Sequence, residues 1–167
     1  MIRNDEKSVK EIKKMNPDGI VISPGPGTPT DKRDFGVCGD VISQLGSSFP
    51  ILGICLGHQG IVSSFGGRII NAKEIRHGKV SEIKYASSDL FLSLDNPFVA
   101  TRYHSLVADP SKIPDCLEVT ALSKDDNEIM AVKHKKYLIE GVQFHPESVM
   151  TTQGPQILLN FLNMIRR

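Results

Sequence analysis

A cysteine flanked by glycines is the residue of this chain best placed for nucleophilic chemistry. Cys55 lies in residues 53–57 (GICLG), between an apolar run ending at Ile54 and a segment with helical periodicity. Gly-x-nucleophile-x-Gly between a strand and a helix is the pattern of a nucleophile elbow. The helix N-terminus should also favour the thiolate. A cysteine in this setting can instead be an ordinary packed core residue, so the pattern alone leaves both interpretations open.

A candidate base for such a nucleophile follows a second apolar segment. His145 and Glu147 stand two residues apart in residues 142–147 (VQFHPE). Residues at this spacing in extended backbone project to one side, so Glu147 could orient the imidazole and stabilise its charged form. The same pattern also occurs where a strand simply ends at the surface. Combined with Cys55, it predicts a Cys-His-Glu triad.

Metal binding is the competing interpretation of Cys55, His145 and Glu147. The sequence has no HExxH motif and no cysteine pair that would complete a ligand set. We therefore predict no metal site on this chain.

A rigid loop follows the first apolar run. Residues 23–29 (SPGPGTP) contain three prolines and two glycines, and proline both fixes φ and lacks an N–H group. The remaining donors include the N–H groups of Gly25, Gly27 and Thr28. An isolated cluster of this kind is typical of a rigid turn. Next to a nucleophile it predicts an oxyanion loop in which Gly25 or Gly27 acts together with the Leu56 N–H.

The elements expected around these residues alternate between helices and strands. Apolar patterning predicts helices at 8–15, 34–45, 55–65 and 155–165, and buried strands at 19–22 and 49–54. Further strands are predicted at 79–85, 98–107, 117–122, 129–133 and 137–144. We expect an α/β fold with an open, mostly parallel sheet, helices covering it and an added antiparallel segment. Residues 1–167 should form one domain with its ligand site at the carboxyl edge of the parallel strands.

Composition narrows the cellular setting. Twenty basic and nineteen acidic residues give a formal net charge of +1, so nothing favours nucleic acid or anionic membrane as a partner. Three cysteines without a closely spaced pair argue against a disulfide framework. The charged N-terminus has no apolar signal core, and no apolar run approaches membrane-spanning length. We expect a cytoplasmic protein.

Four motifs in order, SPGPGTP, PILGICLGHQ, RYHSLV and GVQFHPES, resemble those of the class I (triad-type) glutamine amidotransferases. The resemblance covers essentially the whole chain. Within the family it is strongest to the glutaminase subunits of anthranilate synthase and aminodeoxychorismate synthase. The GMP synthetase and carbamoyl-phosphate synthetase glutaminases share the elbow and the HPE segment, but RYHSLV is more like the chorismate-using branch.

The resemblance implies a reaction and a partner. Cys55 would attack the side-chain amide of L-glutamine, and His145 would protonate the departing ammonia. Ammonia would pass to a synthase subunit, such as anthranilate synthase component I, which aminates chorismate with magnesium. No cofactor is expected on this chain itself. The pathway would be tryptophan biosynthesis, with the folate pathway as the alternative. The positions matched to glutamine binding and to the oxyanion are Gly25, Pro26, Gly27, Leu56, Gln59, Ser105 and Leu106.

The N-terminus departs from the family pattern. Family members carry a strand and a helix ahead of the segment that matches Arg3-Asn4-Asp5. We therefore expect a domain that is incomplete at its N-terminus relative to the family, with a neighbouring strand left unpaired. Two other functions stay open: a cysteine hydrolase acting on esters or peptides, and a non-catalytic subunit that stabilises or regulates a synthase.

Overall fold

The computed structural model describes residues 1–86 and 88–166, in which helices cover a seven-stranded sheet of order β1-β2-β7-β6-β5-β3-β4. The strands are β1 Ile20–Ile22, β2 Ile51–Ile54, β3 Ile69–Tyr85, β4 Phe98–Ala108, β5 Leu117–Ser123, β6 Ile129–His134 and β7 Ile139–Val142. The helices are α1 Val9–Met15, α2 Lys32–Phe35, α3 Cys38–Leu45, α4 Leu56–Ser64 and α5 Gly154–Ile165. Among the residues described, no helix is both long and apolar enough to cross a membrane.

The expected α/β class and the added antiparallel segment are confirmed. Strands β1, β2 and β7 run parallel to one another, so their carboxyl ends meet at one edge of the sheet. The four remaining neighbour pairs are antiparallel, a larger share than the sequence predicted. Strand β3 is also much longer than residues 79–85, because two register shifts against β4 let the pairing continue through polar residues.

Strand β1 is an edge strand, and the buried strand predicted at residues 19–22 is buried on one face only. Among the residues described, it pairs with β2 alone, and Val21 is 55% exposed whereas its neighbour Ile22 is 6% exposed. Side chains alternate along a strand, and Ile22 lies on the face that packs in one core cluster with Phe35 and Leu56. The opposite face at Val21 lies outside that cluster.

The helix predicted at residues 34–45 is divided into α2 and α3. Gly36 adopts φ 53° between them, and a Cβ there would collide with the Asn4 carbonyl oxygen. The same oxygen accepts a 2.9 Å hydrogen bond from the Val37 N–H. The N-terminal segment therefore fixes the break, since only glycine fits this conformation and this close approach.

Two hydrophobic clusters pack against the sheet. One contains Ile51 and Ile61 beside α3 and α4, and the other contains Phe144, Ile157 and Phe161 beside α5. Leu162 of helix α5 is apolar too, but its side chain is 49% exposed. It follows Phe161 directly and so lies about a quarter of a turn off the buried stripe.

Candidate active site

Cys55 occupies a strained turn at the carboxyl edge of the parallel strands. It directly follows β2 and precedes α4, with φ 52° and ψ −100°. A Cβ on Gly53 would lie 2.5 Å from the Gly57 carbonyl group, and one on Gly57 would collide with the Ile22 carbonyl oxygen. Both flanking glycines are therefore required by close backbone approach, and the geometry of a nucleophile elbow is present.

The Cys55 sulfur is buried between one acceptor and one donor. Cys55 is 6% exposed, and its Sγ–H donates to the Tyr103 carbonyl oxygen at 3.7 Å. Gln143 Nε2 donates to Sγ at 3.6 Å. Burial raises the pKa of the thiol to about 11, although the Leu56 N–H and Gln143 both favour the thiolate. The Leu56 N–H at the helix N-terminus favours the thiolate, as expected, but desolvation is the larger effect.

His145 and Glu147 form the predicted pair. His145 Nδ1 and Glu147 Oε1 are 2.7 Å apart, and the two side chains are 12% and 47% exposed. The backbone N–H of His145 donates to the Thr101 carbonyl oxygen at 2.9 Å, and this hydrogen bond ties the segment to β4. Because the Glu147 carboxylate accepts a hydrogen bond from Nδ1, the imidazole proton lies on Nδ1 and Nε2 is left as the basic nitrogen.

The second imidazole nitrogen is available. His145 Nε2 is buried and has no hydrogen-bond partner within residues 1–86 and 88–166, so it does not bond to the Cys55 sulfur either. The Tyr103 ring packs edge-on against the imidazole with centroids 5.2 Å apart. Catalytic hydrogen bonds are often absent without substrate, so this arrangement is compatible with a Cys-His pair.

A cavity of about 170 Å³ opens beside the sulfur of Cys55. It is smaller than pockets for drug-sized ligands, which occupy roughly 300–1,000 Å³. His145 and Glu147 are not among its lining residues. The lining consists of Gly25, Pro26, Gly27, Cys55, Leu56, Gln59, Tyr103, His104, Ser105 and Leu106. All seven positions predicted for glutamine and the oxyanion are thus brought together at Cys55, and Tyr103 and His104 join them.

The loop of residues 23–29 is held by α2. The Thr28 N–H donates to Asp34 Oδ2 at 2.9 Å, and Gly27 adopts φ 87° where a Cβ would collide with the same carboxyl group. Of the three predicted donors, Thr28 is therefore engaged. The N–H groups of Gly25 and Gly27 have no acceptor among the described residues. These two remain for an oxyanion.

A buried ionic network under β4 was missed by sequence reasoning. Arg102 is fully buried, and its guanidinium lies 2.5 Å from Glu128 Oε2 and 2.8 Å from Asp126 Oδ2. Its Nε donates to His104 Nε2 at 3.0 Å. Burial, reinforced by the Arg102 charge, lowers the pKa of His104 to about 3. His104 is thus a neutral cavity wall, and the acidic partners lie too far along the chain for any local motif to reveal them.

His58 and Gln143 are buried beside the elbow. His58 is fully buried on α4 against Gly141, and burial lowers its pKa to about 4. This agrees with a packing role. Gln143 is also fully buried, and its amide contacts both Gln59 and the sulfur of Cys55. Its position two residues before His145 on a strand end was the only signal that could have identified it.

Comparison with known proteins gives a consistent result. The family model "Glutamine amidotransferase class-I" matches residues 1–165. The chain is 52% identical to anthranilate synthase component 2 of Saccharolobus solfataricus, over 99% of this chain and 85% of that protein. It is 51% identical to the bifunctional protein TrpGD of Thermotoga maritima, over 98% of this chain and only 27% of that protein. The structure of a putative GMP synthase subunit from Thermoplasma acidophilum superposes with a TM-score of 0.83 at 28% identity, covering 98% of this chain and 78% of that one. The chain belongs to the class I glutamine amidotransferase family.

Proposed function

We propose that this protein is the glutaminase subunit of an anthranilate synthase. The carrying observation is the small cavity at Cys55, whose walls hold the residues expected to bind glutamine and an oxyanion. Relatives named anthranilate synthase component 2 are 46–54% identical over nearly the whole chain, and this supports the chorismate-using branch. The product would be ammonia for tryptophan biosynthesis.

The proposed reaction begins with proton transfer from Cys55 to His145 Nε2. The sulfur attacks the side-chain carbonyl carbon of glutamine, and the resulting oxyanion receives N–H donors from Leu56 and from Gly25 or Gly27. As the carbon–nitrogen bond breaks, His145 returns its proton to the nitrogen, which leaves as ammonia. A water molecule then attacks the glutamyl thioester, with His145 accepting its proton. Glutamate and the free thiol are released.

Glu147 and the partner complete the proposal. Glu147 would keep the His145 proton on Nδ1 and stabilise the imidazolium that forms in each step. The ammonia would pass to a synthase subunit equivalent to anthranilate synthase component I, in a heteromeric complex whose magnesium belongs to that subunit. We propose no cofactor for this chain. Its three cysteines are free in the described structure, which suits a reducing cytoplasm.

The test compares cysteine variants in the presence of a chorismate-dependent synthase subunit. Cys55→Ser should abolish glutamate release from glutamine. Cys38→Ser and Cys116→Ser remove the other two free thiols and should retain the activity. Retention of glutaminase activity by Cys55→Ser would overturn the proposal. Anthranilate formation from chorismate and glutamine identifies the pathway, whereas aminodeoxychorismate formation would place the subunit in folate synthesis.

Two further outcomes would replace the proposal by another function. Turnover of esters or peptides without turnover of glutamine would indicate a different cysteine hydrolase. Stabilisation of the synthase by wild-type and Cys55→Ser protein alike, without glutamate release from either, would indicate a non-catalytic subunit.

A further inference from the structure

A chain of buried amide groups leads from β4 to the sulfur of Cys55. Gln59 Nε2 donates to the Leu106 carbonyl oxygen at 2.9 Å and to Gln143 Oε1 at 3.1 Å. Gln143 Nε2 then donates to Cys55 Sγ at 3.6 Å. Gln59 is 3% exposed and Gln143 fully buried, so water does not compete for these hydrogen bonds.

The orientation of both amides follows from the first acceptor. A backbone carbonyl can only accept, so Gln59 must turn its NH₂ group toward Leu106. The second hydrogen on the same nitrogen goes to Gln143, which must therefore present its oxygen to Gln59. This leaves the Gln143 NH₂ group facing the sulfur. Turning the Gln143 amide over would place its nitrogen donors against those of Gln59.

The Gln143 N–H that contacts the Cys55 sulfur has no role in the proposed Cys-His-Glu mechanism. At rest the Cys55 Sγ–H donates a hydrogen bond to the Tyr103 carbonyl oxygen, and deprotonation of the thiol leaves a negative charge in a buried site. A hydrogen bond to a charged acceptor is about twice as strong as one between neutral groups. The Gln143 N–H therefore stabilises the ionised sulfur more than the neutral thiol.

We infer that Gln143 is a further catalytic residue, which holds an N–H donor on the Cys55 sulfur and stabilises the thiolate that attacks glutamine. The inference rests on the proposed role of Cys55 as the nucleophile. Gln59 acts as a positioning residue in this arrangement, because it fixes the orientation of the Gln143 amide. The alternative is a polar side chain that only fills a buried space, and that role would not change the ionisation of Cys55.

The test measures alkylation of each cysteine by iodoacetamide between pH 6.5 and 9.5, with quantification by peptide mass spectrometry. Gln143→Met keeps the length and apolar stem of the side chain and removes the donor. Loss of the hydrogen bond from Gln143 to the thiolate should raise the pKa of Cys55 by about one unit. The thiolate fraction at a given pH then falls about tenfold. Because thiolate nucleophilicity rises with pKa, the rate at Cys55 should fall by about threefold at each pH. Cys38 and Cys116 are internal controls whose rates should not change.

Two additional measurements cover a variant that folds poorly. Gln143→Leu provides a second donor-free side chain, and Gln156→Met removes an amide hydrogen bond from α5 as a matched control. In wild-type protein with ¹⁵N-labelled glutamine, the Gln143 NH₂ signals should shift when iodoacetamide alkylates Cys55, because the sulfur that the amide contacts is changed. Unchanged or faster alkylation of Cys55 in folded variants overturns the inference, as do Gln143 signals that are insensitive to alkylation of Cys55.

The alkylation test is independent of glutamine turnover. If wild-type protein with its synthase partner released no glutamate, the proposed function would fail while the effect of Gln143 on Cys55 remained measurable. If glutaminase activity depended on Cys55 but alkylation were insensitive to Gln143, only the further inference would fail.

Discussion

Cys55 and Glu147 follow neighbouring parallel strands at one edge of the sheet but lie in opposite environments. Cys55 is 6% exposed, whereas the Glu147 side chain is 47% exposed. The turn at Cys55 is fixed by backbone packing around Gly53 and Gly57. His145 is instead held by polar contacts: the carboxylate of Glu147 and the backbone of Thr101. We call the Cys55 turn with α4 the cysteine side, and β4 with residues 145–147 the histidine side. Changes to the packing around the Cys55 turn should therefore alter folding, and changes at Glu147, the exposed end of the histidine side, should alter activity alone.

The buried ionic network around Arg102 tests whether the histidine side also contributes to the stability of the fold. Arg102→Leu would leave the nearly buried Glu128 carboxylate without its cation and Asp126 with Arg76 alone. We expect the free energy of unfolding to fall by about 3–5 kcal/mol. Chemical denaturation measures this change. Arg33→Leu is the control, because the Arg33 side chain is 89% exposed and its ion pair with Asp31 should contribute less than about 1 kcal/mol. Similar small losses in both variants would show that the network is dispensable.

The cysteine side should respond to acid through His58. Its pKa is lowered from 6.5 to about 4 by burial, so the unfolded chain takes up the proton at higher pH than the folded protein does. Stability is then fully present above pH 6.5 and is lost as the pH falls towards 4, by on the order of 3 kcal/mol. His58→Leu should remove this part of the pH dependence, while the part due to His104 remains. Unfolding at pH 7 and pH 4.5 gives the comparison, with exposed His77→Leu as control. An equally steep loss of stability in His58→Leu would contradict the assignment.

The exposed carboxylate should affect catalysis with little effect on folding. Glu147→Gln preserves the shape of the side chain but removes the charge that stabilises the imidazolium of His145. We expect kcat for glutamine hydrolysis to fall by about a hundredfold, less than for a fully buried triad carboxylate, where the loss approaches about 10⁴. The free energy of unfolding should change by less than about 0.5 kcal/mol. Steady-state kinetics with the synthase partner and denaturation of the isolated variant measure both. A large loss of stability would place Glu147 in the structural part of the histidine side.

Sequence reasoning succeeded where chemistry is encoded by neighbouring residues. The elbow at residues 53–57 and the His145-Pro146-Glu147 step each carry their geometry within a few positions. The Arg102 network was not predictable, because its acids come from residues 125–128 and only the pairing of β3, β4 and β5 brings them close. The raised pKa of Cys55 was missed for a similar reason. A helix N-terminus is visible in the sequence, whereas the extent of burial that outweighs it depends on the whole fold.

Asp34 offers the finest test of the comparison, since it connects α2 to the loop that faces Cys55. Its carboxylate accepts the Thr28 N–H and lies against Gly27, so it restricts the loop that carries the candidate donors Gly25 and Gly27. Asp34→Ala should lower kcat for glutamine by about tenfold, less than the 10²–10³ expected when an oxyanion donor is lost outright. KM should change little, because Gln59 and Leu106 are untouched. Asp40→Ala, an exposed carboxylate on α3, is the matched control. An unchanged kcat would mean that the prolines alone hold the loop. A higher kcat would mean that the Thr28 N–H, freed from Asp34, stabilises the oxyanion better than the N–H groups of Gly25 and Gly27 do.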